Sequence, residues 1–156
     1  MELIFTETAK MLELDIPARG SHDAAGWDLS ACIGAPVTIH PGEVSKIPLG
    51  VRIHIGSELG YGPLAGLLLP RSSNSGLVLD NTVGLIDADY QGEIMAKVRN
   101  IEEYPITIKP KDRIAQLVII PVLSMLGLEP KEQFSHSTAR GAAGFGSTGG
   151  NYTHEK

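Results

Sequence analysis

Along most of the chain, apolar and polar residues alternate. Val51-Arg52-Ile53-His54-Ile55 puts apolar side chains on one face of an extended segment and polar ones on the other, the pattern of a half-buried strand. Ala96-Lys97-Val98-Arg99 and Ile106-Thr107-Ile108-Lys109 repeat it, the second bounded by Pro105 and Pro110. Leu67-Leu68-Leu69 and Leu117-Val118-Ile119-Ile120 are apolar without a break and predict strands covered on both faces. Turn-forming clusters separate the runs: Pro41-Gly42, Leu49-Gly50, Gly60-Tyr61-Gly62-Pro63, Asp80-Asn81 and Pro110-Lys111-Asp112. Turns spaced roughly 8–12 residues apart predict an all-β sandwich, barrel or jelly roll.

Two stretches depart from this pattern. Thr6 to Leu14 holds the helix formers Ala9, Lys10, Met11, Leu12 and Glu13 but is short and soon followed by Pro17, so helix and non-helix both stay open. Residues 141–150 contain five glycines in ten and predict no core strand, because glycine adds no packing and loses much backbone entropy on ordering. A disordered tail is one reading of this stretch. The other is a flexible arm, since Arg140, Phe145, Ser147 and Thr148 supply a guanidinium, a ring and hydroxyls suited to closing over a phosphorylated aromatic ligand.

Composition narrows the function classes. Eighteen glycines and ten prolines in 156 residues suit short strands and tight turns, and 42% hydrophobic residues suffice for a core. The net charge of −5 argues against general nucleic-acid binding but permits a small anion held by a few converging arginines. Cys32 is the single cysteine, which excludes an internal disulfide framework and a multi-cysteine metal site. The start, Met1-Glu2-Leu3-Ile4-Phe5, lacks the features of a signal peptide, and the nearly apolar run from Leu117 to Leu126 is too short to span a bilayer. The expectation is a soluble cytoplasmic protein without a membrane partner, with a nuclear or virus-infected-cell setting left open.

Three constellations could carry chemistry. Gly141 to Thr148 has the glycine and hydroxyl spacing of a phosphate-binding P-loop, but Ser147 stands where lysine is required, so only a weaker phosphate cradle of amides and hydroxyls survives. Asp87 and Asp89 lie two residues apart beside Tyr90, as either a water-activating pair on one strand face or a solvated turn. Pro70-Arg71-Ser72-Ser73-Asn74-Ser75-Gly76 follows an apolar run, as either an anion site or a polar loop. No Gly-x-Ser-x-Gly elbow is present, and His22, His40, His54, His136 and His154 show no metal-ligand spacing. A participating metal would therefore be a hard cation met through oxygen, foremost Mg²⁺ on phosphates.

Taken in order, these pieces resemble the trimeric dUTP pyrophosphatase (dUTPase) family. Ala25-Gly26-Trp27-Asp28-Leu29, Pro70-Arg71-Ser72-Ser73, Gly84 to Glu93, Arg113-Ile114-Ala115-Gln116-Leu117 and Arg140 to Gly149 are similar to its five motifs, across about residues 20–150. The resemblance implies a jelly-roll-like β-barrel over residues 1–137, a flexible Gly-rich arm over 138–156, and a homotrimer with active sites between subunits. It implies hydrolysis of dUTP to dUMP and pyrophosphate, which limits uracil incorporation into DNA and supplies dUMP for thymidylate synthesis. Mg²⁺ would be held by the substrate phosphates and water, with no direct protein ligand.

The same resemblance assigns roles. Asp87 would activate the water that attacks the α-phosphorus, and Tyr90 would pack under the deoxyribose and exclude a 2′-hydroxyl. Asn81 to Leu85, with Val83 and Gly84, would form a hairpin reading uracil. Arg71, Ser72 and Gln116 would contact phosphates, Ser73 would be a further substrate-binding residue, and Asp28 would support the site through water near the metal. Arg140, Gly146, Ser147 and Thr148 would hold the terminal phosphate, and Phe145 would stack on the base. Three positions depart from the family pattern: Trp27 for the usual Tyr or Phe, Ala143 for a usual glycine, and a loop after Ser73 with only Asn74 and Ser75 before Gly76. The short loop leaves open the helix that members often carry there, and the local phosphate contacts. The alternatives are a deoxycytidine triphosphate deaminase, which lacks the Gly-x-Ile-Asp-x-x-Tyr pattern of Gly84 to Tyr90, and a non-catalytic regulatory binder.

Overall fold

The computed structural model describes residues 1–56, 63–81, 83–123, 127 and 130–139. The chain divides into two units, Met1–Ser124 and Met125–Lys156. All described strands and the one described helix lie in the first: β1 Glu2–Phe5, α1 Glu7–Met11, β2 Trp27–Ser30, β3 Val37–Ile39, β4 Val44–Pro48, β5 Val51–His54, β6 Leu64–Pro70, β7 Leu77–Leu79, β8 Gly84–Asp87, β9 Met95–Asn100, β10 Ile106–Ile108 and β11 Arg113–Pro121. The ambiguous stretch near the start resolves into a single helical turn. Thr6 caps it by accepting from the Ala9 amide at 3.2 Å, and Glu13, at φ 49°, lies just beyond its end.

The strands pair antiparallel in four sheets, β1-β5, β10-β3, β2-β11-β6-β8 and β4-β9-β7. The all-β expectation holds, but these sheets are open and do not close into one hydrogen-bonded barrel. Their closure is apolar: every sheet contributes buried side chains to one core, including Leu29, Ile39, Ile47, Val51, Leu68, Leu79, Ile86, Val98, Ile108 and Leu117. Gly50 joins β4 to β5 at φ +71°, where a Cβ would meet Ala9 and Cys32 at 2.8 Å, so glycine is required by both conformation and space. The buried Asn100 stitches the far end, donating to the carbonyls of Ile39 and Tyr104 and accepting from the Glu102 amide.

The central sheet differs from expectation on one face. Leu68 and Leu117 point into the core at 2% exposure, but Leu67, Leu69, Val118 and Ile120 on the opposite face are only half-buried. Leu85, in register with Leu67 and hence with Val118, is 62% exposed. The uninterrupted apolar runs therefore have one covered face and one that this chain leaves partly bare.

Candidate functional site

Asp28 is the hub of a basic cluster at the β2 edge of the central sheet. It stands in register with Gln116 of β11, which in turn faces Leu69 of β6, so Asp28 and Gln116 lie on the outward face. Arg71, just past the end of β6, grips the Asp28 carboxylate with both arms of its fork, Nε to Oδ1 at 2.7 Å and Nη2 to Oδ2 at 3.0 Å. Arg113 adds a third bond, Nη1 to Oδ2 at 3.1 Å. Arg71 Nη1 also donates to Ser73 Oγ at 3.0 Å and to the Arg113 carbonyl at 3.2 Å. Gln116 Nε2 donates to the Pro70 carbonyl at 2.9 Å. A Cβ on Gly26 would lie 2.9 Å from Gln116 Oε1, so Gly26 is what lets the glutamine lie there. One carboxylate thus orders two guanidiniums and leaves a net positive charge beside the exposed Ser72 and Ser73.

Asp87 occupies the other edge, at the end of β8. A cavity of about 220 Å³ is lined by Leu68, Asn81, Gly84, Leu85, Ile86, Asp87, Tyr90, Glu93, Ile94 and Met95. The Tyr90 amide donates to the Asp87 carbonyl at 3.1 Å, and the Tyr90 hydroxyl donates to the Glu93 carbonyl at 3.1 Å, which folds the ring back toward the strand. Gly92 lies under that ring with no room for a Cβ. Glu93 Oε1 in turn accepts from the Gly50 amide at 3.0 Å. Burial pushes the nearby Cys32 thiol up from its ordinary value, and the Glu93 charge adds to the rise.

The segment expected to form a hairpin around Asn81 lies between strands of different sheets. The flanking strands belong to different sheets, β7 pairing with β9 and β8 with β6, so the segment crosses between sheets instead of closing one ladder. Local turn residues cannot distinguish these outcomes, because both need the same change of direction. Asn81 and Gly84 do line the Asp87 cavity, and Val83 lies beside it in the chain at 53% exposure. Arg140, Phe145, Gly146, Ser147 and Thr148 lie outside the described residues. Sequence reasoning overlooked Arg113 and Asn74 as site residues. Arg113 opens one of the five motifs, but only its bond to Asp28 assigns it a task.

Asp28 and Asp87 are not neighbours within one chain. Asp28 and Asp87 share a sheet face but are separated by three strand spacings, about 14 Å, and by the four residues from Leu69 to Ala65, about 13 Å along the strands.

Comparison with known proteins shows the family. The dUTPase family model matches residues 13–149. The chain belongs to the dUTPase family. It is 49% identical over 136 residues to the deoxyuridine 5'-triphosphate nucleotidohydrolase of Aromatoleum aromaticum, covering 85% of this chain and 87% of that one. It is 49% identical over 140 residues to the enzyme of the same name from Hahella chejuensis, covering 88% of each. A dUTPase mutant of Staphylococcus bacteriophage 80alpha, solved with dUpNHpp, superimposes with a TM-score of 0.79 at 26% identity, covering 95% of this chain and 97% of that one. The match to the dUTPase model takes in both the Asp28 cluster and the Asp87 cavity.

Proposed function

We propose that this chain hydrolyses dUTP to dUMP and pyrophosphate in sites assembled between copies of itself, with three copies forming the enzyme. The observation that carries this reading is the separation just described: the Asp87 carboxylate and the guanidiniums ordered by Asp28 stand at opposite edges of one sheet, which suits their joining one site from different copies. The partly bare apolar face of Leu67, Leu69, Leu85, Val118 and Ile120 lies between them and suits coverage by a neighbouring copy. Its burial would also give the two apolar runs the second cover that their sequence implies.

In this reading the base enters the Asp87 cavity, where Asn81 and the backbone around Val83 and Gly84 meet the uracil edge. Tyr90 lies under the sugar, held by its bond to Glu93. Asp87 accepts a proton from a water as the water oxygen bonds to the α-phosphorus. The bond from that phosphorus to the β-bridging oxygen breaks, and pyrophosphate leaves. Arg71, Ser72, Ser73 and Gln116 of a neighbouring copy hold the phosphates, with Arg71 pre-oriented by Asp28. Residues 138–156 form the arm, in which Phe145 stacks on the base and Arg140, Gly146, Ser147 and Thr148 hold the terminal phosphate.

The donor set suits Mg²⁺ carried by the substrate. Among the described residues no three of His, Cys, Asp and Glu group together, and both Asp28 oxygens already accept from guanidiniums, so Asp28 would act through an intervening water. When bound, Mg²⁺ neutralises charge on the phosphate oxygens and the leaving pyrophosphate. The cytoplasm is the expected setting. The test is product analysis of purified protein given dUTP and dCTP with Mg²⁺. Equimolar dUMP and pyrophosphate support the proposal; ammonia released from dCTP would indicate deamination; no turnover would indicate a binding protein.

A further inference from the structure

The loop joining β6 to β7, residues 71–76, is short and contains no helix. Ser72, Ser73 and Ser75 are exposed, whereas Asn74 is half-buried and turned toward β11. Its Nδ2 donates to the Ile114 carbonyl at 2.7 Å. The register between β11 and β2 shifts between Arg113 and Ala115, which leaves Ile114 as the bulged residue. A bulged residue lacks a ladder partner, so its carbonyl is free for a side-chain donor. The carbonyl one residue earlier, on Arg113, accepts from Arg71 Nη1 at 3.2 Å. Two consecutive carbonyls of the bulge are therefore held by the first and fourth residues of the same loop. Backbone bonds close the loop on itself, from the Asn74 amide to the Arg71 carbonyl and from the Ser75 amide to the Ser73 carbonyl, both at 3.1 Å. Its far end is pinned at Gly76, whose φ of +69° favours glycine and whose carbonyl accepts from the Ile101 amide at 2.9 Å.

We propose that Asn74 is a positioning residue for phosphate binding: by docking onto the β11 bulge it sets the height of Ser72 and Ser73 and the approach of Arg71, the task that a helix would perform in a longer loop. This rests on the reading that Arg71, Ser72 and Ser73 hold substrate phosphates. Only the amide nitrogen can serve, because the partner is a carbonyl. Asn74→Asp therefore removes the donor while keeping the shape, and Asn74→Ala removes both.

The test measures binding of dUpNHpp and of deoxyuridine by calorimetry, with steady-state kinetics on dUTP, for Asn74→Asp, Asn74→Ala and Arg71→Ala. Both Asn74 variants should raise the Kd for dUpNHpp and the KM for dUTP about tenfold, the scale of one lost hydrogen bond at a binding loop. Their kcat and their deoxyuridine affinity should stay near those of the parent. A structural defect alone would weaken both ligands together, and that result overturns the assignment, as does parental dUpNHpp affinity in Asn74→Asp. Weakened dUpNHpp binding in Arg71→Ala alongside parental binding in both Asn74 variants rejects Asn74 alone. Unchanged dUpNHpp binding in Arg71→Ala rejects the phosphate reading beneath it, and the proposal with it.

Discussion

At the β2 edge of the central sheet, every charged group of the site has a partner. Asp28 takes three bonds from two arginines, and a carbonyl and a serine occupy the rest of Arg71. At the β8 edge, Asp87 is exposed at the end of an edge strand, beside an exposed Leu85 and a Tyr90 that is 45% exposed. The two edges suit opposite tasks. Holding a triphosphate needs cations fixed in advance, so that little order is lost on binding. Activating a water needs a carboxylate whose lone pairs are not already committed to cations. Were Arg71 to grip Asp87 as it grips Asp28, Asp87 would be a poor base. Placing the two groups on opposite edges of one sheet keeps them apart in the chain, and the proposed assembly would bring them together.

The largest effect should come from removing the base. Asp87→Asn keeps the shape and should leave dUpNHpp binding close to the parent, while kcat falls by roughly 10²–10⁴, the usual worth of a positioned general base. Turnover near the parental rate would take Asp87 out of the mechanism. At the other edge, Arg71→Ala should act mainly on KM, by about ten- to a hundredfold, since charge-assisted hydrogen bonds are worth about 1.5–3 kcal/mol. The comparison breaks if the two variants show the same split between kcat and KM.

Mixing these two defective chains tests the separation itself. If the carboxylate and the guanidiniums of one site come from different copies, co-refolding equal amounts of Asp87→Asn and Arg71→Ala chains rebuilds intact pairs in about a quarter of sites by chance, in a symmetric assembly with neighbouring contributions. Measured at dUTP well below the parental KM, where the Arg71→Ala chain is nearly inactive, activity should rise well above that of either parent refolded alone. A mixture no better than the average of its parents would mean that both groups act from one chain.

Tyr90 sharpens the picture on the open side. Tyr90→Ala should shift preference from dUTP toward UTP by about 1–3 kcal/mol, the range for losing a shape contact in a pocket. It should leave the dUpNHpp contacts at Arg71 intact. An unmoved ratio of dUTP to UTP turnover would assign Tyr90 to packing against Gly92 alone.

Legibility in the sequence divided along the same line. Alternation in 51–55, 96–99 and 106–109 identified β5, β9 and β10, because period-two burial is a local property. Asp87, Tyr90 and Arg71 could be singled out because each stands in a short motif, and the structure places Asp87 and Tyr90 at one cavity and Arg71 on Asp28. Partnership was not legible. That β7 and β8 enter different sheets depends on distant strands, and the bulge at Ile114 lies inside an apolar run that reads as continuous. Arg113 and Asn74 acquire their tasks only from that bulge, so no spacing along the chain could reveal them. The bare face of Leu67 and Val118 was predicted as covered, because an apolar run records that something covers it and not which molecule does.

The smallest expected effect concerns an anchor on the open side. Asp80, the residue before Asn81, bonds Lys97 Nζ at 2.7 Å and Arg99 Nη2 at 2.6 Å, and its amide donates to the Lys97 carbonyl at 2.7 Å. The bond from Lys97, then that from Arg99, holds the Asp80 carboxyl below its ordinary value. A carboxyl whose value is lowered by folding stabilises the fold above its unfolded value, about 3.9, and loses that contribution as pH falls through the folded one. Asp80→Asn should therefore lower the melting temperature slightly at neutral pH, and the gap from the parent should be flat down to mildly acidic pH and close in strong acid. Salt should narrow the gap at neutral pH, because both partners are substantially exposed. If no gap appears at neutral pH, the anchor is the Asp80 backbone alone, and the open edge has no electrostatic counterpart to the Asp28 cluster.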